Sequence, residues 1–433
     1  MINAIRMQNV GPADEMELSF APRLNVITGD NGLGKSFILD VAWWALTRTW
    51  AGDTARPRLP RRDGKAPLKA SIEFQVFGRA GLLSPTSVSY DPTRKTGNFW
   101  PLKRGRPPQT GLTIYARIDG GYSVWDPARN YLIDAPSRGF VDPDRPAAFH
   151  FQSQQLWDGL DFGGVPYCNG LIKDWESWQT RKRDVFERFT SVLSILSKGQ
   201  GEPDPAEEMR PGPYVRLDIG DARELPSIAL PYGDVPVTLL SAAMRRVLSL
   251  AYLLVWAWEE HRIAAERLNE KPSRSIVLLV DEIESHLHPK WQRIIIPAIL
   301  EAVRALNAEV HIQLLAVTHS PMVLASLEPL FDERNDKLFK FDLEDGRVLV
   351  DEMNWYPLGS VDSWLTSDVF DLGEARSVQA ESMIKHALKA LENQNLPLDE
   401  RRRIHHELHN LLGNDDPYWP RWVMFAGSKG IEP

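Results

Sequence analysis

The chain has 433 residues, 43% of them hydrophobic and 25% charged, which is enough for a large core divided into two or three lobes. A formal net charge of −8 argues against indiscriminate attachment to nucleic acid, and the single cysteine, Cys168, excludes an internal disulfide framework and a cysteine zinc cluster. No apolar run approaches the roughly 18 residues of a bilayer span, and residues 1–6 lead straight into strand-like sequence without a signal segment, so the expectation is a cytoplasmic protein with no membrane contact.

Residues 1–23 alternate around the turn at 11–14, with Ile2, Ile5 and Met7 before it and Met16, Leu18 and Phe20 after it, and predict a hairpin. The apolar run 24–29 then ends in Gly29, Asp30, Asn31, Gly32, Leu33, Gly34, Lys35 and Ser36. These fill every position of G-x-x-x-x-G-K-[ST] ahead of a helical run over 37–49. Glycines at 29, 32 and 34 let the backbone turn its N–H groups inward, so phosphate oxygens meet several donors and the positive end of a helix. Lys35 is placed for the β- and γ-phosphates of a nucleoside triphosphate, and Ser36 for Mg²⁺.

The composition changes after this helix. Arg56, Arg58, Arg61, Arg62, Lys65, Lys69, Arg79, Arg94, Lys95, Lys103, Arg104 and Arg106 meet only Asp63, Glu73 and Asp91. Strand signals over 71–77, 86–90 and 111–118, with Phe99 and Trp100 expected on the surface, give two readings: a β-rich lobe that grips a phosphate backbone through 56–118, or a solvated arginine-rich loop set. Gln152 follows another short apolar run, where a polar side chain at a strand end can hold a metal-bound water. A helical run over 170–198 carries Trp175, Trp178, Phe189 and Leu196 at core spacing, and 199–213 reads as a linker.

The second half supplies partners for the phosphate loop. The run 275–280 is a strand buried on both faces that ends in Asp281 and Glu282, two acids that are costly there without a cation. Asp281 is expected to hold Mg²⁺ through water, and Glu282 to orient or deprotonate attacking water. The next strand, 311–317, leads to His319, whose imidazole could reach a γ-phosphate. Upstream, Ser241 caps a long apolar helix running to about 265; its start is a second anion site, suited to the nucleotide of a second copy. The tail opens with a hairpin over 337–350 and continues as two helical runs, the second carrying His405 and His409 four residues apart.

Together these residues resemble the ABC-type ATPase heads of the RecF, SMC and OLD group, with Walker A at 29–36, a Q-loop at Gln152, a signature helix at Ser241, Walker B at 276–282, a D-loop at 284–289 and His319. The resemblance implies an α/β fold: a head with a mixed sheet, an inserted basic β-lobe, a helical lobe and a small α+β tail. The corresponding divisions are 1–55, 56–148, 149–236, 237–330 and 331–433. It implies ATP and Mg²⁺ as ligands and a homodimer formed through ATP-bound heads. More narrowly, the chain looks like the ATPase subunits of Septu and retron-associated defence, which work with a separate HNH nuclease; a RecF-like genome-maintenance ATPase is the competing reading. One departure stands out. Ala243 and Met244 occupy signature positions that are usually glycine and glutamine, which implies slow turnover.

Overall fold

The computed structural model describes residues 1–58, 69–79, 81–94, 99–102, 107–130, 146–198, 208–220, 222–392 and 397–427. Contacts divide it into two units, 1–359 and 360–433.

In the first unit, β1 (Ile2–Gln8) and β2 (Glu15–Ser19) form the expected antiparallel hairpin. β3 (Leu24–Gly29) then runs into α1 (Lys35–Thr47). The strands that follow are shared between two sheets rather than forming a lobe of their own. β4 (Ser71–Gly78), β5 (Gly81–Leu82) and β6 (Thr86–Ser89) extend the sheet of β1 and β2, with β4 pairing β1. β7 (Leu112–Ala116), β8 (Tyr122–Trp125) and β9 (Phe149–Phe151) enter the other sheet. The pattern explains the split: β4 alternates buried and exposed positions and covers one face, whereas β7 is buried throughout and can only be interior.

The run expected as one helix over 170–198 is two, α3 (Leu171–Arg181) and α4 (Arg183–Lys198), separated by a non-helical Lys182; α2 (Ser153–Asp158) precedes them. Trp175, Trp178, Phe189 and Leu196 are core residues. Short hairpins and bridges flank these helices: β10 (Leu160–Phe162) with β11 (Val165–Cys168), β13 (Val215–Arg216) with β14 (Glu224–Leu225), and β12 (Arg210–Pro211) with β15 (Ser227–Leu230) and β16 (Gly233–Pro236). Most of the linker expected over 199–213 lies outside the described residues; its end, at Arg210 and Pro211, is strand.

α5 (Ala242–Arg267) leads to β17 (Ser275–Val280), and α6 (Pro289–Gln292) and α7 (Ile295–Leu306) to β18 (His311–Val317) and α8 (Pro321–Leu327). β19 (Asp336–Glu344) and β20 (Arg347–Met353) form the hairpin expected to open the tail, but β19 pairs with β3 along its length, so the hairpin belongs to the head. The resulting mixed sheet has the order β20-β19-β3-β18-β17-β7-β8-β9, parallel from β19 to β7 and antiparallel at both margins. This is a mixed α/β head.

α1 lies between the two sheets. Its Ile38, Leu39, Trp43 and Trp44 share one core with Ile5, Met7 and Phe74 on one side and with Val277, Leu279, Leu315 and Val317 on the other. Buried Gln313 of β18 ties the sheets together, accepting from Ile2 N at 2.8 Å and donating to the oxygens of Ile2 and Ala21. Trp100, expected on the surface, is 1% exposed: its indole packs against Trp44 and donates to Ala55 O at 2.9 Å. Phe99 is half-buried, stacked on Tyr90 beneath the Arg56 guanidinium. Neither aromatic is the free stacking platform the sequence suggested, because the apolar end of α1 needs a cover and these rings supply it.

The second unit contains α9 (Val361–Leu365), α10 (Val378–Glu392), α11 (Leu398–Leu411) and α12 (Trp419–Gly427). Its own core joins Met383, Ile384 and Ala387 to Ile404, Leu408 and Trp422, and Arg376 pairs with Asp416 at 2.8 Å. His405 accepts from the Trp422 indole at 3.1 Å, and Trp419 lies against both His405 and His409, so these histidines are packing residues. Among the described residues no cluster of His, Cys, Asp or Glu is arranged to hold a metal by itself, and no helix is long and apolar enough to cross a membrane.

Candidate nucleotide site

Because β3, β18 and β17 are adjacent and parallel, their C-terminal ends lie along one edge at about 4.8 Å per strand. Strand order therefore puts Gly29, Thr318 and Asp281 side by side, although they are far apart in sequence.

At the first of these ends the loop is left-handed where the motif requires it. Gly29, Gly32 and Gly34 have φ of 126°, 78° and 99°. A Cβ on Gly29 would overlap the Phe341 carbonyl of β19, and one on Gly34 would lie 2.6 Å from Pro12, whereas one on Gly32 would meet nothing within 4 Å. The cradle is thus closed from behind and open in front, over Asn31 and Gly32, where a phosphate chain fits. Gly34 caps α1 without a side-chain acceptor, leaving the first-turn N–H groups for an anion. Lys35 is buried and donates to the oxygens of Gly29 (2.9 Å) and Asp30 (2.5 Å); burial lowers its pKa, opposed by Asp30, Asp281, Glu282 and Glu284.

Asp281 is fully buried, and neither carboxylate oxygen has a hydrogen-bond partner. Burial raises its pKa, and the nearby Ser36 hydroxyl partly offsets the shift. A buried carboxylate in this condition costs several kcal/mol unless a cation compensates it. Ser36 and Asp281 therefore form a donor set that fits Mg²⁺ and would hold it, the cation offsetting the buried carboxylate's charge. Glu282 follows with φ 43°, a left-handed conformation for a side-chain-bearing residue, held by Arg246 of α5, which donates to the oxygens of Asp281 and Glu282. One turn beyond Ser36 on α1, burial raises Asp40 to about 6, with Tyr115 as its hydrogen-bonding neighbour and Asp281 adding repulsion.

His319 stands at the end of β18, as its position in the sequence implies. Its loop is anchored by Glu284, which accepts from Thr318 Oγ1 at 2.7 Å and from His319 N at 2.6 Å. Ser241 is exposed at the start of α5, accepting from Met244 N at 3.3 Å.

Gln152 stands at a strand end, as its position in the sequence implies. It follows β9, three strands beyond β17, and is exposed at the start of α2, where its N–H donates to Gln155 Oε1 at 2.8 Å. That is a helix-entry role, and the strand order does not bring it beside Asp281. The other neighbour of β17 is β7, and just past its end stands Arg117, whose guanidinium donates to Ala51 O, Ser123 Oγ and Phe151 O. Between Arg117 and the start of α5 lies a cleft of about 510 Å³ lined by Tyr122, Gln154, Arg245, Arg246 and His286. Sequence reading passed over Asp40 and Arg117, and it gave Arg246 and Glu284 no role beyond membership of the signature helix and the D-loop. Only Asp40 and Glu284 carried a local signal, four residues from Ser36 and two from Glu282.

A phosphate loop opening a helix, an acid-tipped strand two places away and a histidine-tipped strand between them define a P-loop ATPase domain. Two family models agree with that class: residues 4–79 match one described as "AAA domain", and residues 129–325 match one described as "AAA domain, putative AbiEii toxin, Type IV TA system". Among solved structures, the chain is similar to the SMC head domain from Thermotoga maritima, at 16% identity over 82% of this chain and 99% of that one (TM-score 0.38). It is also similar to an Smc head domain with an extended coiled coil bound to the C-terminal domain of ScpA derived from Pyrococcus furiosus, at 11% identity over 81% and 96% (TM-score 0.39). A third similarity is to the recombination mediator RecF with ATP, at 13% identity over 82% and 97% (TM-score 0.35).

Proposed function

We propose that this ATPase binds ATP with Mg²⁺, hydrolyses it slowly, and works as a pair of heads that sandwich two nucleotides. The observation that carries the reading is the double use of α5: Arg246 grips the chain's own acidic strand end, while Ser241, five residues earlier, is presented outward at a helix start. A second copy's γ-phosphate fits there. Bound Mg²⁺ would neutralise phosphate charge; Lys35 and the loop N–H groups would position the chain of phosphates, and Glu282 would orient water. Ala243 and Met244, in place of the usual glycine and glutamine, support slow turnover.

The nucleotide state is read by a separate effector, a nuclease of HNH type in a bacterial defence system, with nucleic acid as the trigger; a RecF-like genome-maintenance role is the alternative. Among the described basic residues of 56–118, Arg56 lies over Phe99, and Arg58, Arg79 and Arg94 pair with Asp14, Glu270 and Asp91. Nucleic-acid binding by this stretch therefore rests on exposed Lys69 together with Arg61, Arg62, Lys65, Lys95, Lys103, Arg104 and Arg106, the last seven outside the described residues.

Mixing Lys35→Ala with Ser241→Arg subunits tests the pairing. The mixed dimer contains one intact composite site, so ATPase activity should return where each variant alone has none. No recovery, or a strictly monomeric protein with ATP, overturns it. An effector nuclease whose cutting follows added nucleotide separates the defence reading from the genome-maintenance one.

A further inference from the structure

The segment after the acidic strand turns back across the sheet edge: Ile283 N donates to Val317 O at 3.0 Å, which carries Glu284 to the end of β18. There the two carboxylate oxygens of Glu284 take separate donors, the Thr318 hydroxyl at 2.7 Å and the His319 main-chain N–H at 2.6 Å. Thr318 Oγ1 in turn accepts from Ser320 N at 3.0 Å, and Ser320 Oγ donates to Gln292 Oε1 at 2.7 Å. Gln292 closes the loop by donating to Leu287 O at 2.9 Å. Thr318 is fully buried. Thr318 N also donates to Ile27 O of β3 at 3.0 Å, but the side chains that hold the His319 loop in these bonds from outside it, Glu284 and Gln292, both come from the segment 284–292. The bonds to Glu284 are charge-assisted, about twice as strong as neutral ones.

We infer that Glu284 is a positioning residue for ATP hydrolysis: it acts through His319, fixing the backbone from which the imidazole reaches the γ-phosphate. The inference rests on the reading of His319 as phosphate-facing. Glutamine at 284 keeps an acceptor for the His319 N–H and can donate to Thr318 Oγ1, whereas alanine releases both groups.

A double-mutant cycle on the full chain tests it, with ATP affinity and kcat measured for Glu284→Ala, His319→Ala, the double variant and Glu284→Gln. His319→Ala should lower kcat on the order of tenfold or more, as loss of a group acting on the transferred phosphate does. Glu284→Ala should lower kcat similarly with ATP affinity within about threefold, the double variant should be no slower than His319→Ala, and Glu284→Gln should recover most of the loss. Full multiplication of the two single losses, or an unchanged kcat in Glu284→Ala, overturns the inference and leaves His319 in place. An unchanged kcat in His319→Ala removes the phosphate-facing reading and the inference with it. Should Glu284→Ala fail to fold, Thr318→Val, which removes one of the two bonds, replaces it in the cycle with the same outcomes.

Discussion

Arg246 donates to the main-chain oxygen of Glu282 at 2.9 Å and, from the same nitrogen, to that of Asp281 at 3.0 Å. Glu282 is held at φ 43°, a conformation that costs a side-chain-bearing residue about 1 kcal/mol and persists only when its surroundings impose it. Removing the guanidinium with Arg246→Ala should let this turn relax and misdirect the carboxylate. The expected result is a fall in kcat of roughly tenfold with ATP affinity little changed; equal kcat in steady-state ATPase assays would show that the turn holds its shape without Arg246.

Lys35 and Glu282 should separate binding from chemistry. Lys35→Ala removes the one cation in the phosphate loop and should abolish ATP binding in calorimetry. Glu282→Gln preserves shape but removes the group that orients water, so binding should persist while hydrolysis stops, a loss on the order of a hundredfold or more. Undiminished turnover in Glu282→Gln removes the water-orienting role.

The loop glycines should fail in different ways. Gly29→Ala drives a Cβ into the Phe341 carbonyl, so it should cost well over ~2 kcal/mol and lower the melting temperature of the first unit. Gly32→Ala meets no atom but must hold φ 78°, a cost of about 1–2 kcal/mol. Its larger effect should be on ATP affinity, because the new methyl occupies the open side of the cradle. Thermal melts with and without nucleotide distinguish the two.

Asp40 gives the apo protein a pH signature. Its folded pKa is raised to about 6 from 3.8, chiefly by burial, so the native state holds the proton more tightly than the unfolded chain. Below about 4 both states are protonated and Asp40 contributes nothing; between about 4 and 6 stability falls as pH rises; above about 6 the penalty is complete. Asp40→Asn removes the titration. Its stability relative to the parent should therefore rise across that window and level off above it, by on the order of 2 kcal/mol. A difference independent of pH would place the shift elsewhere.

Trp100 tests the corrected view of the basic stretch. Since its ring is buried against Trp44, Trp100→Ala should destabilise by ~3–5 kcal/mol. Any nucleic-acid affinity of the folded protein, and its salt dependence, should be unchanged. Weaker binding at full stability would return Trp100 to the surface role.

What the sequence determined by itself was local. A phosphate loop is one contiguous run from strand to helix, so its glycines, Lys35 and Ser36 declare their geometry through spacing alone, and the unbroken run 275–280 declares a strand buried on both faces with acids at its tip. Strand order is another matter, since it depends on which apolar faces find each other. It alone put β18 between β3 and β17, gave the place beside β17 to β7, and left Gln152 three strands away at a helix entry. It also drew the 336–353 hairpin into the head, where Phe341 presses on Gly29. The roles of Arg246 and Glu284 could not be read from spacing, because Arg246 acts on backbone oxygens and Glu284 on one hydroxyl and one backbone N–H, all belonging to other elements, and backbone groups carry no residue identity. Their partners exist only once the sheet is assembled.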